Sequence, residues 1–399
     1  SSQSILYKDP FQAISDVMEE FKVKPERSFP FQGGIVGYLS YDLKSFVEDI
    51  PYRASDIDIP DCFFGMYDPI FVYDHIRKMG YIVSTGIKND TMDKIEFRNI
   101  LSRQSLKKEL YDIEIPKTTS FTSNMTKAEY MEIIRKVHEY IAAGDIYQAN
   151  ISQRLSMECD GDPFSIYQKL LSRSPAHFSA FMDLGSFQVI CNSPERFLGI
   201  NDGYIETSPI KGTRPRSTIE EKDLHLIDGL RNDQKELAEH IMIVDLERND
   251  LGRICDIGTI SVKELMSIET LPNLHHMVST VRGRLKDGIK PADCIKACFP
   301  GGSVTGAPKI RAMEIIDELE PTPRGIYTGA LGYIDLSGNM DLAITIRTAI
   351  LKDRRLFLHV GGGIVSDSKV ESEYDETLLK ADSFLKTLIT DGIYCDNSL

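Results

Sequence analysis

The sequence has 399 residues, 42% apolar and 27% charged, which is ordinary globular usage and excludes a disordered, collagenous or coiled-coil chain. At about 100–200 residues per domain, the length predicts two or three structural units. Sixty acidic residues against 46 basic ones leave a net charge of −14, so no nucleic acid and no anionic membrane is expected as partner, because both need clustered cations.

The seven cysteines are odd in number and scattered, which predicts free thiols in a reducing, cytoplasmic setting rather than a disulfide framework. Cys294 and Cys298 stand four apart with no second Cys/His pair at zinc spacing, and read as packed thiols. No run of eighteen apolar residues predicts a membrane span, and Ser1-Ser2-Gln3 lacks the basic start of a signal peptide. The absence of an initiator Met predicts a processed start.

In chain order, Phe11 to Phe21 has a helical pattern after Asp9-Pro10. The Gly-rich run Phe31 to Leu39 lacks the Lys-Ser/Thr of a phosphate loop and reads as a strand with close backbone packing. Ile70–Tyr73 and Tyr81–Val83 read as strands about a turn at Met79-Gly80. Residues Ile113 to Asn124, polar and carrying Pro116, form the best linker candidate and divide an N-terminal portion, 1–115, from a catalytic region, 120–399, packed with it as one compact unit. Thr126 and Glu129 form a capping box, and the stripe Tyr130, Ile133, Ile134, Val137, Ile141 stops at Gly144. Ile146 to Leu155 alternates as a strand with Gln148, Asn150 and Ser152 on one face. Lys309 to Leu319 reads as a helix, and Ala330–Asp335, Asp341–Leu351 and Leu356–Val360 as strands joined by hairpin-length turns. Such links imply antiparallel pairing, so the fold class is α+β with large antiparallel sheets.

Glu236 and Glu239 lie at i, i+3 in a predicted helix, Asp233 to Arg248, and Glu373 and Glu376 repeat the spacing in another, Ser372 to Leu388. Four carboxylates across a cleft would suit Mg²⁺, a hard cation that takes oxygen ligands; spacing alone favours two solvated faces. Lys211, in the tight polar loop Ile210-Lys211-Gly212-Thr213, is a nucleophile if held and desolvated, and otherwise a surface lysine. Glu195 follows the apolar strand Phe187 to Cys191 and is either a general acid or a salt-bridged turn residue. Gly361-Gly362-Gly363 directly after a strand would admit an anion to backbone N–H groups, or mark a bulge. Arg347 could clamp a carboxylate, and Lys380 lies one helical turn past Glu376.

These segments occur in the order Gly144 to Asn150, Ser193-Pro194-Glu195, Glu236 to His240, Val244 to Gly252, Pro300 to Lys309 and Gly361 to Thr377. Together they resemble the chorismate-utilising enzymes: anthranilate synthase component I, aminodeoxychorismate synthase component I, and the isochorismate and salicylate synthases. The resemblance implies an α/β sandwich around two large antiparallel β-sheets with flanking helices and a cleft between them. It implies Mg²⁺ on Glu239 and Glu376, with Glu236 and Glu373 beside them. It places the pyruvyl carboxylate of chorismate on Arg347 and Tyr327, with Gly361, Gly362, Gly363, Lys380, Gly212 and Thr213 completing the anion site. His276 matches the active-site histidine and Glu195 the general acid.

Two positions choose within the family. The water-using members have Lys where this chain has Gln148, and Gln cannot serve as a base. Anthranilate synthases usually have Ala where this chain has Lys211, whereas aminodeoxychorismate synthases have Lys. The resemblance therefore implies amination of chorismate at C4, with ammonia from a separate glutamine amidotransferase. Anthranilate formation and a catalytically silent regulatory or tryptophan-binding subunit are the alternatives. The Leu-Glu-Ser segment that would speak for tryptophan binding is not seen.

Overall fold

The computed structural model describes residues 9–24, 29–87, 91–103, 121–272 and 274–388. Among these, two antiparallel sheets dominate. The nine-stranded sheet runs in the order Ile210–Pro215, Leu274–Arg284, Tyr204–Ser208, Arg196–Asn201, Met340–Ile344, Ala330–Asp335, Gly34–Leu39 and Cys62–Tyr67, with Ser261–Thr270 also paired to Leu274–Arg284. The seven-stranded sheet runs Gly306–Ala307, Gln148–Glu158, Arg355–Ile364, Thr348–Lys352, Phe187–Ser193 and Phe178–Asp183, with Thr122–Ser123 on Gln148–Glu158. Tyr38 and Leu331 of the first sheet pack in one buried cluster with Val189, Cys191 and Ile350 of the second, which makes the arrangement a sandwich. The implied α+β sandwich is therefore the fold.

Helices cover the outer faces for reasons visible in their sequences. Lys127–Ala143 begins at the Thr126/Glu129 capping box and ends at Gly144, whose φ of 83° is a left-handed conformation that glycine adopts freely. Its buried stripe Tyr130, Ile134 and Val137 packs with Ile151, Ile315 and Ile364. Burial of each such side chain contributes about 1.5–3 kcal/mol. Gln234–Ile254 starts at Asp233, whose carboxylate accepts the backbone N–H of Lys235 and Glu236. It packs on the nine-stranded sheet through Val244, Leu251 and Ile254. Val370–Leu388 lies on the other sheet through Ala381 and Phe384.

Three expectations need correction, and the expected linker and boundary fall largely outside the described residues. Met79-Gly80 begins the strand Met79–Val83; the turn lies at residues 75–78, organised by Asp74 accepting from Ile76 and Arg77. The linker expected at Ile113–Asn124 falls outside the described residues except at its end, where Phe121 is buried and Thr122–Ser123 pair as a strand. The boundary between 115 and 120 also lies outside them.

The span Asp341–Leu351 is two strands. Met340–Ile344 belongs to the nine-stranded sheet and Thr348–Lys352 to the seven-stranded one, with the chain changing sheets at residues 345–347. Arg347 takes a φ of 49° there. Both halves are buried, so apolar alternation continues across the break and hides it. The three glycines lie inside the strand Arg355–Ile364 rather than after it, pairing in continuous register with Ser152, Ile151 and Asn150. No bulge interrupts them.

Candidate active site

The crossing points between the sheets assemble the centre. Residues 194–195 carry the chain from Phe187–Ser193 to Arg196–Asn201, and residues 345–347 carry its neighbour the opposite way. The two crossings are laced by backbone bonds, Ile344 N–H to the Glu195 carbonyl at 3.0 Å and Asn192 N–H to the Arg347 carbonyl at 3.0 Å. Glu195 and Arg347 therefore meet at one seam. Glu195 is buried, and burial raises its pKa while Ser303, Lys211 and Arg347 oppose the rise.

Lys211 is delivered by a bulge. Lys211 pairs with Met277 and Thr213 with the very next ladder residue, His276, so Gly212 is the extra residue. Its φ is 70°, a left-handed conformation that glycine adopts freely, and a Cβ there would lie 2.7 Å from Leu230 Cδ1 and 3.3 Å from Glu236 Oε2, so those side-chain ends would have to shift. The Lys211 Nζ points at the Ser303 carbonyl, 3.5 Å away. A Cβ on Gly363 would fall 3.5 Å from Lys211 Nζ and 2.2 Å from Gln148 Nε2, which places the ammonium, the amide and the bare strand together. Gln148 is fully buried with neither side-chain polar atom partnered. A buried amide left unpaired is costly, and it marks a place where a ligand supplies the partner.

Thr213 Oγ1 and His276 Nδ1 are 2.9 Å apart, and His276 Nε2 is buried without a partner. Burial, then Arg347, pushes the His276 pKa down to about 3, so the ring is neutral at physiological pH. Tyr327 lies under the glycine strand: a Cβ on Gly361 would be 2.9 Å from its hydroxyl. Its ring stacks on His359 at 5.2 Å.

The carboxylate doublets of the two helices face each other's charge. Burial raises Glu239, with Glu236 and Glu373 adding to the rise and Lys211 and Lys235 opposing it. Burial likewise raises Glu373, with Glu376 adding to it. For Glu376, burial is outweighed by the charge and hydrogen bond of Lys380 at 2.8 Å, and its pKa falls. Lys380 also donates to the Gly361 carbonyl at 3.0 Å. Glu236 is held by Arg214 at 3.5 Å. Among the described residues no three His, Cys, Asp or Glu side chains converge into a ready cation site. Mutually repelling, partly buried oxygen donors fit a hard cation that takes a few of them and completes its shell with water and ligand oxygens.

The chemistry-bearing residues singled out from the sequence thus lie near the two crossings, the bulge at Gly212 and the glycine strand. Three participants were not singled out: Ser303, Lys235 and the buried Glu247. Ser303 appeared only within the run Pro300 to Lys309, and nothing in its local spacing distinguishes it from a turn serine. Two surface cavities of about 250 and 390 Å³ lie elsewhere, and no candidate residue lines them.

Comparison with known proteins gives the family. The sequence pattern of chorismate binding enzymes matches residues 4–386. The chain belongs to the chorismate-binding enzyme family. Anthranilate synthase component 1 of Aquifex aeolicus is 40% identical over 96% of this chain and 79% of the relative. Aminodeoxychorismate synthase component 1 of Salmonella typhimurium is 39% identical over 96% of this chain and 84% of the relative. The crystal structure of anthranilate synthase component I from Streptococcus pneumoniae TIGR4 superposes with a TM-score of 0.87, at 34% identity, over 96% of this chain and 87% of that one. The protein is therefore an enzyme acting on chorismate, and relatives of two activities stand at similar distance. Among the described residues, no helix is long and apolar enough to cross a membrane.

Proposed function

We propose that this enzyme aminates chorismate at C4 to give 4-amino-4-deoxychorismate. The carrying observation is the primary amine of Lys211 in the cleft, beside the buried acid Glu195 and the uncharged Gln148. Amination at C4 with retention calls for two allylic displacements. The Lys211 amine bonds to C2 as the C4–O bond breaks, and Glu195 protonates the departing hydroxyl. Ammonia then bonds to C4 as the C2–N bond to Lys211 breaks. Gln148 has no basic nitrogen with which to activate water, which disfavours hydroxylation.

Glu239 and Glu376, with Glu236 and Glu373 beside them, would hold Mg²⁺, which supplies positive charge for the ring carboxylate. Arg347 and Tyr327 would take the pyruvyl carboxylate; Gly212, Thr213, Gly361 to Gly363 and Lys380 line the rest. A separate glutamine amidotransferase would furnish ammonia. Free thiols at all six described cysteines suit a cytoplasmic setting.

Mass-resolved product analysis with chorismate, ammonium and Mg²⁺ tests the reading. Wild type yields aminodeoxychorismate, and Lys211→Ala abolishes or redirects it. Unchanged product from Lys211→Ala overturns the assignment. Fluorescent anthranilate from wild type would instead establish C2 amination, the activity named for the Aquifex relative.

A further inference from the structure

The short helical turn Gly302–Val304 is clamped by groups other than the Ser303 side chain. Gly302 N–H donates to the buried Glu247 Oε1 at 3.1 Å. The Val304 carbonyl accepts from the buried Arg324 at 3.0 Å, and Thr305 Oγ1 donates to the Gly301 carbonyl at 3.0 Å. These bonds fix the turn without the Ser303 hydroxyl. That hydroxyl is itself buried beside the Glu195 carboxyl, whose charged form it favours, and it is hydrogen-bonded to no other group. The same residue's carbonyl is the hydrogen-bond acceptor for Lys211 Nζ, at 3.5 Å. Ser303 thus meets both groups whose protonation has to change during the reaction, Lys211 at its carbonyl and Glu195 at its hydroxyl, and the hydroxyl is not used to hold the turn.

We propose that the Ser303 hydroxyl relays the proton from the Lys211 ammonium to the Glu195 carboxylate. This deepens the C4-amination reading and rests on it. An ammonium has no lone pair, so Lys211 has to lose a proton before attack, and Glu195 has to carry one before it can act as acid. In the relay, Lys211 gives its proton to Ser303 Oγ while the serine's own proton passes to Glu195. The neutral amine then forms the C2–N bond as C4–O breaks, and the Glu195 proton leaves with the hydroxyl as water. In the second displacement ammonia bonds to C4 and C2–N breaks; the proton shed by the incoming nitrogen returns Lys211 to its ammonium form. One ammonia enters and one water leaves, and both side chains end as they began. A serine hydroxyl can pass a proton in this way because it donates and accepts at once.

The test compares wild type, Ser303→Ala and Ser303→Thr. Chorismate is first supplied with Mg²⁺ and no ammonium, and the Lys211 adduct is followed by intact-protein mass. Ser303→Ala should form the adduct about 100-fold more slowly, the usual range for losing a proton-transfer group. Its KM for chorismate and its thermal midpoint should match wild type. Ser303→Thr, which keeps the hydroxyl, should recover adduct formation to within about tenfold of wild type. Adduct formation by Ser303→Ala within about threefold of wild type overturns the relay, as does equal impairment of both variants. Absence of any Lys211 adduct in wild type, with anthranilate as product once ammonium is added, would overturn the parent reading instead.

Discussion

The three consecutive glycines allow a graded test, because the same added methyl meets three different surroundings. In Gly361→Ala the Cβ would lie 2.6 Å from the Ile151 carbonyl oxygen and 2.9 Å from both Ser152 Cβ and Tyr327 Oη. The first of these is backbone of the paired strand and cannot swing aside. Overpacking of this kind costs about 1–3 kcal/mol, a fall of roughly 5- to 150-fold in the folding equilibrium. In Gly362→Ala the nearest atoms are Glu373 Oε2 at 3.4 Å, Lys380 Nζ at 3.6 Å and Glu376 Oε1 at 4.0 Å, ordinary contacts that cost the fold little. The methyl nevertheless fills space at the carboxylates and the backbone N–H groups. If it denies the substrate one charge-assisted hydrogen bond, about 1.5–3 kcal/mol is lost and KM rises roughly 10- to 150-fold. In Gly363→Ala the methyl would sit 2.2 Å from Gln148 Nε2, a side-chain end that can move, but its displacement disturbs the neighbourhood of Lys211. Turnover should fall more than stability. Urea midpoints and steady-state kinetics on the three variants decide the matter. A Gly361→Ala protein as stable as wild type, or a Gly362→Ala protein that is the least stable of the three, would refute the reasoning.

Glu195→Gln should lower kcat by about 10²- to 10⁴-fold, because the amide cannot protonate the departing hydroxyl; loss of less than fivefold removes Glu195 from that role. Burial raises the Glu195 pKa, so its acid form persists to higher pH than an exposed carboxyl would allow, and the alkaline limb of kcat should be displaced upward accordingly. Arg347→Lys replaces a bidentate fork with a point charge, so KM for chorismate should rise about tenfold while kcat changes little. A kcat effect without a KM effect would place Arg347 elsewhere in the mechanism. Glu247 is raised first by burial and then by Asp250, against the pull of Lys309, with Glu195 adding to the rise. Its folded form keeps a proton that the unfolded chain releases, so stability contributed at acid pH declines as pH climbs from the ordinary carboxylate range toward the folded pKa. Glu247→Gln should flatten that decline in urea melts at successive pH values; an identical pH slope would show that the group ionises freely in the fold.

The local elements were legible because their causes are local. Thr126 and Glu129 cap a helix within one turn, and Gly144 ends it with a conformation that depends on its own φ. The doublets Glu236/Glu239 and Glu373/Glu376 are set on one face by helical geometry alone. Likewise the hairpin turn at 337–339 follows from Gly338, which adopts a positive φ freely. What those side chains meet is another matter. Lys211 and Ser303 are 92 residues apart in sequence. They touch because a bulge at Gly212 re-aims one strand and two buried groups, Glu247 and Arg324, hold the turn that carries the other.

The break at residues 345–347 shows the division most plainly. Alternation reports burial on one side of a strand, and it continues unchanged when the chain leaves one sheet and enters the next, so long as both sites are buried. Only the pairing partners, Arg196–Asn201 for one half and Phe187–Ser193 for the other, decide that Arg347 sits at the crossing with Glu195. The sequence by itself determined the helices, their carboxylate faces, the antiparallel habit and the ordered motifs that name the family. The tertiary structure decided which buried polar atoms are left without partners, those of Gln148 and His276 at the site among them, because that depends on every group packed around them.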